Sequence, residues 1–283
     1  MSVDTLNARR RVAWGIIILL LLLRIPYTHA IIYFLPIENQ IGGAVYEVST
    51  YFLTALFIWW ERDHLADFHM DTSALFIIIL LRPIQTLILY HWKVETPLVF
   101  PGLPSLMIWT ISIGLTVALW RSGFKTARFS ALTVSWLTAG LLIGAGVSIA
   151  ENFSAFQSMS MNPRPLSLSV FTSTSLNILY HLGFAPINEE PLFRGFLWGA
   201  LRQLKWKDGW ILIFQTVLFT SAHAYFADQY PLTFWVLIPG AALIFGLLTL
   251  RSRSISAAMI AHGLINGSVY VWLAGVLSSL FRL

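Results

Sequence analysis

Two adjacent glutamates, an arginine, two histidines and an asparagine are the residues whose types and spacing could do chemistry in this chain. They are Glu189, Glu190 and Arg194 in the stretch NEEPLFRGF, His223 in VLFTSAHAYF, and His262 and Asn266 in MIAHGLINGS. All lie in apolar surroundings, where an ionisable group costs about 2.5–3.5 kcal/mol on insertion scales and calls for a function. Glu190 and Arg194 are four residues apart, as are His262 and Asn266, and on a helix that spacing puts each pair on one face. Glu189 is turned by about 100° from Glu190, so one carboxylate can pair with Arg194 while the other stays free. A carboxylate beside a guanidinium stays ionised and fixed. One in an apolar cavity can exchange protons with water, which makes Glu189 the candidate base. A histidine from another helix can orient the same water, and a histidine with an amide donor can hold an oxyanion. The set is sufficient for hydrolysis of an amide.

Each residue also has a structural reading. A Glu–Arg pair four apart inside a helix bundle is about as often a neutralised packing contact as a working one. Single membrane histidines such as His91 and His181 read as hydrogen-bonded packing residues, and Phe193 and Trp198 as packing or interfacial anchors. Chemistry is favoured by three polar-bearing helices in the last hundred or so residues. In the N-terminal half the in-span charges are the scattered Arg24, Glu47 and Arg82, read as structural or snorkelling. Other catalytic plans lack their residues. The chain has no cysteine, no H-E-x-x-H and no Gly-Asp dipeptide, and Gly146-Val147-Ser148 is not followed by glycine. A zinc site of Glu189, His223 and His262 stays chemically open.

The elements that must position these residues are membrane helices. The 283 residues are 57% hydrophobic and 11% charged, with a mean hydropathy of +0.72, which leaves no room for a sizeable soluble domain. Apolar windows near the ~20 residues of a membrane span occur at 12–35, 43–60, 72–91, 103–120, 130–150, 209–227, 232–250 and 255–281. A longer segment, 168–205, is interrupted by Pro186 and Pro191. The expected fold is therefore all-α, a polytopic transmembrane helical bundle of about eight or nine spans with an intramembrane polar cavity beside NEEP. A broken helix is tolerated in a membrane only where its freed backbone faces protein or a wet cavity. Residues 1–129 would supply helices without a chemical motif, and 130–283 the catalytic core.

The net charge of +5 does not point to nucleic acid, because the basic residues sit in short loops between apolar runs. Arg9, Arg10, Arg11, Arg62, Arg121, Lys125, Arg128, Arg202, Lys205, Lys207, Arg251 and Arg253 fall on one side; Lys93, Arg164 and Arg282 fall on the other. That bias predicts a cytoplasmic N-terminus. The first apolar run is followed by no small-residue cleavage site and reads as a membrane helix. SMSMNPRPLS is expected as an extramembrane turn and ERDHLADFHMD as a charged cytoplasmic loop.

In this order and spacing the motifs resemble the CAAX-protease and bacteriocin-processing family. They are E-E-x-x-x-R at Glu189, Glu190 and Arg194, F-x-x-x-H at Phe219 and His223, and H-x-x-x-N at His262 and Asn266. Gly240, Phe245, Gly246 and Arg251 look like the family's third-motif region, and the resemblance covers about 168–283. It implies a glutamic-type intramembrane endopeptidase: Glu189 activates water with help from His223, His262 and Asn266 form the oxyanion site, and Glu190 and Arg194 shape it. No cofactor and no obligatory metal are expected. The implied partners are the lipid bilayer and a membrane-anchored peptide or protein, lipidated or bearing a C-terminal sorting helix, in a prokaryotic plasma membrane. The rival readings are a non-enzymatic immunity or scaffold protein and, behind it, a transporter.

Overall fold

The computed structural model describes residues 3–34, 40–124, 131–158 and 168–267. Among them there is no strand, as expected of an all-α membrane bundle. Ten helices follow one another: α1 (3–34), α2 (Gln40–Trp60), α3 (Thr72–His91), α4 (Leu103–Arg121), α5 (Ala131–Ser158), α6 (Leu168–Leu182), α7 (185–203), α8 (Asp208–Ser221), α9 (Thr233–Ser252) and α10 (Ser256–Gly267). Six stretches are long and apolar enough to cross a membrane: Leu6–Tyr33, α2, α3, α4, Ala131–Ser148 and α9. α8 is shorter than the window read at 209–227, because the chain leaves the helix after Ser221 and turns at His223. The SMSMNPRPLS turn beyond Ser158, Lys125, Arg128, Arg164, Arg282 and the end of the 255–281 window lie outside the described residues.

The prolines explain the local shape of the long helices. Proline lacks an N–H and clashes with the carbonyl four residues back, and each long helix that carries one beyond its first turn widens into a π-helical turn: Leu23–Tyr27 around Pro26, Ile77–Leu81 before Pro83, Pro191–Leu197, and Thr233–Leu237 before Pro239. Freed carbonyls are met by neighbours. Ser112 Oγ donates to Ile79 O at 2.5 Å and the Tyr51 hydroxyl to Ile78 O at 3.2 Å.

The expected break in 168–205 is real but differently built. It falls at Gly183 and Phe184; Pro186 sits in the first turn of α7, where a missing N–H costs nothing. Pro191 does not interrupt the helix, because the π turn absorbs it. Gly183 docks on α3 so closely that a Cβ there would lie 2.5 Å from Leu81 O, and its own carbonyl accepts from Arg82 Nη1 at 3.2 Å. α10 is wedged between two small-residue faces. Gly140 and Gly144 of α5 abut the backbone of Ala257 and Ala261, and Gly263 and Gly267 abut α6 at Leu182 and Ile178.

One buried apolar cluster runs from Ala13 and Ile17 through Phe57, Phe68, Phe193 and Trp198 to Met259, joining both halves of the chain. The ERDHLADFHMD segment is not simply a solvated loop. Leu65, Phe68, His69 and Met70 fold inward and cap one end of the bundle, and His69 O accepts from Ile255 N–H at 2.9 Å. Burial, aided by the nearby Arg202, pushes the His69 imidazole down to about 4. Beside it Arg202 makes two hydrogen bonds to Asp208, at 2.6 and 2.7 Å, which join α7 to the start of α8.

Candidate functional site

Four of the six residues singled out in the sequence line one cavity of about 420 Å³: Glu189, His223, His262 and Asn266. Its walls are apolar and aromatic, with Phe184, Phe219, Tyr225, Phe226 and Phe245 among them. Glu190 and Arg194 lie behind this wall, both fully buried, on the α7 turn.

The division of the two carboxylates holds in part. Arg194 Nη1 donates to Glu190 Oε1 at 3.3 Å, the intrahelical pair read from the spacing. Arg194 is fixed further by Ala242 O at 3.1 Å and by the face of Phe219, 4.2 Å from its guanidinium carbon. Glu190 Oε1 also accepts from His262 Nδ1 at 2.7 Å. Glu190 thus orients His262, whose ring is stacked 4.9 Å from Phe245.

Glu189 is not the isolated carboxylate that was expected. Arg24, from the π turn of α1, donates through Nη2 to Glu189 Oε1 at 2.8 Å and through Nη1 to Ala222 O at 3.3 Å. The same Nη2 lies 3.0 Å from His223 Nε2. Arg24 is therefore neither snorkelling nor a remote packing charge; it is only 4% exposed and belongs to the site. No short-range pattern in the sequence could have found it, since 165 residues separate it from Glu189. The signal was an arginine beside a proline in an otherwise apolar span, LLLRIPY.

These contacts assign a tautomer. A guanidinium only donates, so His223 Nε2 accepts, and its proton sits on Nδ1, 2.8 Å from Phe219 O. Phe219 stands between the rings, 4.6 Å from His223 and 6.2 Å from His262, which gives the F-x-x-x-H spacing a packing role. The remaining oxygen, Glu189 Oε2, accepts no hydrogen bond from the described residues. It lies 3.8 Å from His223 Nε2 and 3.9 Å from His262 Nε2. Both distances exceed a hydrogen bond.

A second buried network holds the segment in place. Arg82 pairs with Glu47 and donates to Gln85 Oε1 at 2.7 Å, while Asn188 Nδ2 donates to Glu47 Oε2 at 2.9 Å. Asn188 immediately precedes Glu189, so the Glu47–Arg82 pair, read as structural, fixes both the Gly183 break and the backbone beside Glu189. His181 lines the cavity wall and packs edge-on against Tyr180. Phe193 and Trp198 are fully buried packing residues. Gly246 allows α9 to approach Leu212 and Gln215 of α8, whereas the space around Gly240 is open.

The zinc reading does not fit these residues. Arg24 places a positive charge 2.8 Å from Glu189 and occupies the His223 Nε2 lone pair, and both groups would have to turn to a divalent cation that the guanidinium repels.

No curated protein and no solved structure matches the chain. Residues 171–268, which contain the six motif residues, match the family described as Rce1-like, type II CAAX prenyl endopeptidase. That segment, and with it the cavity, is similar to the type II CAAX prenyl endopeptidase family.

Proposed function

We propose that the protein is an intramembrane endopeptidase that hydrolyses a peptide bond in a membrane-anchored protein or peptide, with Glu189 as general base. The observation that carries this reading is Glu189 Oε2, unbonded among the described residues, within 4 Å of two histidine nitrogens in the wall of an apolar cavity. A water there gives its proton to Glu189 as its oxygen bonds to the scissile carbonyl carbon. The tetrahedral intermediate then expels the amine as the C–N bond breaks, and the proton passes from Glu189 to the leaving nitrogen. Arg24 holds the Glu189 carboxylate in place and fixes the His223 ring beside it in the Nδ1–H form.

His262 and Asn266 are the oxyanion donors in this scheme. His262 Nδ1 is directed at Glu190, which leaves its Nε2 toward Glu189 and the cavity. Residues 1–129 then serve the catalysis of 130–283 through Arg24, Glu47 and Arg82.

Mass spectrometry of membrane peptides from cells with wild-type protein and with Glu189→Gln tests the reading. Loss of specific cleavage products with folded protein still in the membrane is expected. Persistence of turnover in Glu189→Gln sinks the mechanism, and an intact phenotype in that variant favours the immunity or scaffold reading.

A further inference from the structure

A second concavity lies between α2 and α4, two helices that precede the matched segment 171–268 and carry none of the six motif residues. Phe52, Ala55 and Trp59 of α2 line one side, and Ile111, Gly114 and Ala118 of α4 the other. On each helix these residues are three and four apart, so each set is one helix face. With α3 returning between them, α2 and α4 run the same way, and the matching spacing lays the groove along both. Its lining carries no charged side chain. The floor is closed, with Ala55 and Leu115 buried, and the rim is open: Phe52 is 52% exposed, and a Cβ on Gly114 would meet nothing within 4 Å.

The size of the groove selects what can fill it. It holds about 220 Å³. The seven residues from Phe52 to Trp59 span about 10 Å at 1.5 Å each, so the mean section is about 20 Å². A helix about 10 Å across needs roughly 80 Å². The space takes one extended hydrocarbon chain, not a transmembrane helix.

One end of the groove is basic. Arg62 lies over the Trp59 ring, 5.2 Å from its centroid, and donates through Nη1 to Trp59 O at 3.0 Å, a bond that uses one of its five N–H groups. Arg121, three residues past Ala118, ends α4 beside it and is exposed. Glu61 is held by Arg9, so even with Asp63 counted the two arginines leave a positive surplus there. Trp59, between the apolar groove and the charge, has the place of an interfacial aromatic.

We infer that the α2–α4 groove binds one anionic phospholipid, with an acyl chain laid from Phe52 to Trp59 across Gly114 and the phosphate at Arg62 and Arg121. A zwitterionic lipid offers the same chain but no net charge to the arginines, so the headgroup sets the preference. This site is independent of the cavity and of the peptidase reading.

Native mass spectrometry of the full-length protein in detergent tests it, by titration with phosphatidylglycerol and with phosphatidylcholine of the same chains. At about fivefold for each arginine, wild type is expected to hold one phosphatidylglycerol roughly 25-fold more tightly than phosphatidylcholine. Arg62→Gln should narrow that preference to about fivefold, and Arg62→Gln with Arg121→Gln should abolish it. Gly114→Leu, which fills the groove without meeting a neighbour, should remove the tightly held lipid of either kind. Equal affinity for the two lipids in wild type overturns the inference, as does a double arginine variant or a folded Gly114→Leu variant that binds as wild type does. A wild-type dimer that Gly114→Leu dissociates would overturn it too, by giving the groove to a second copy of the chain.

Discussion

Replacing Arg24 by glutamine separates a working site from a packing network most sharply. Arg24 meets three acceptors at once, Glu189 Oε1 at 2.8 Å, His223 Nε2 at 3.0 Å and Ala222 O at 3.3 Å. Glutamine keeps part of the reach and a hydrogen-bond donor, but it removes the charge. Glu189, 6% exposed, is then a buried carboxylate without its closest countercharge, and breaking a buried pair in this way costs about 3–5 kcal/mol. The carboxylate escapes that cost by taking a proton, which ends its service as a base, or by swinging away from the cavity. If the cost falls on the transition state, at about 1.4 kcal/mol per tenfold, cleavage slows by roughly 10²–10⁴. His223 also loses the donor that fixes its tautomer. Arg24→Lys should fall between the two, because an ammonium restores the charge but cannot span three acceptors in the guanidinium's planar geometry. The assay is the rate of substrate loss in membranes, normalised to the protein that elutes as a folded monodisperse species in detergent. A folded Arg24→Gln variant that cleaves within about threefold of wild type would refute the role given to Arg24, since a charged hydrogen bond alone is worth ~1.5–3 kcal/mol.

Four further outcomes follow from the same geometry. Asn266→Ala should lower kcat by about 10²–10³ with little change in KM, the mark of a donor used in the transition state; an effect on KM alone would assign it to substrate binding. Gly183→Ala should cost about 1–3 kcal/mol of stability through overpacking against Leu81 O, read by thermal unfolding in detergent; unchanged stability would show that the break can move. Arg82→Met with Glu47 retained should destabilise by ~3–5 kcal/mol, whereas the double change of Arg82→Met and Glu47→Leu should recover much of that loss; no recovery would argue against an isolated pair. Because the folded His69 is held down to about 4 from 6.5, the unfolded chain binds the extra proton first as pH falls. Stability should therefore decline between about pH 6.5 and 4, and His69→Gln should flatten that limb of the unfolding profile.

Much of the site was legible because its residues break the rules of their surroundings. A carboxylate pair, two histidines and an asparagine in apolar helices stand out by cost alone, and the four-residue spacing of Glu190 and Arg194 correctly gave their contact. The same spacing put His262 and Asn266 on one cavity wall. Helical geometry could not show what lay opposite Glu189, because Arg24 comes from the first helix and helix-to-helix placement is not written in local periodicity. The break in 168–205 was visible as a violation of span length, but its position was misjudged. Proline is a weaker interruption than it reads when the helix can widen, as at Pro191, and a glycine pressed against a carbonyl, as at Gly183, is a stronger one.

The packed end of the bundle has a consequence for the energetics of the membrane itself. A polar cavity let into a ~30 Å core thins the insulating layer locally. Phe68, Met70, Phe193, Phe196 and Trp198 are then the dielectric that remains, all buried on the basic side of Glu189. An applied voltage would drop mainly across that layer, at about 2.3 kcal/mol per elementary charge per 100 mV. The balanced set of Arg24, Glu189, Glu190 and Arg194 lies at its edge and carries no net charge for the field to move. Vesicles containing the protein should hold a proton gradient as well as protein-free ones, and Gly199→Trp or Phe68→Ala, by opening the seal, should make them leak.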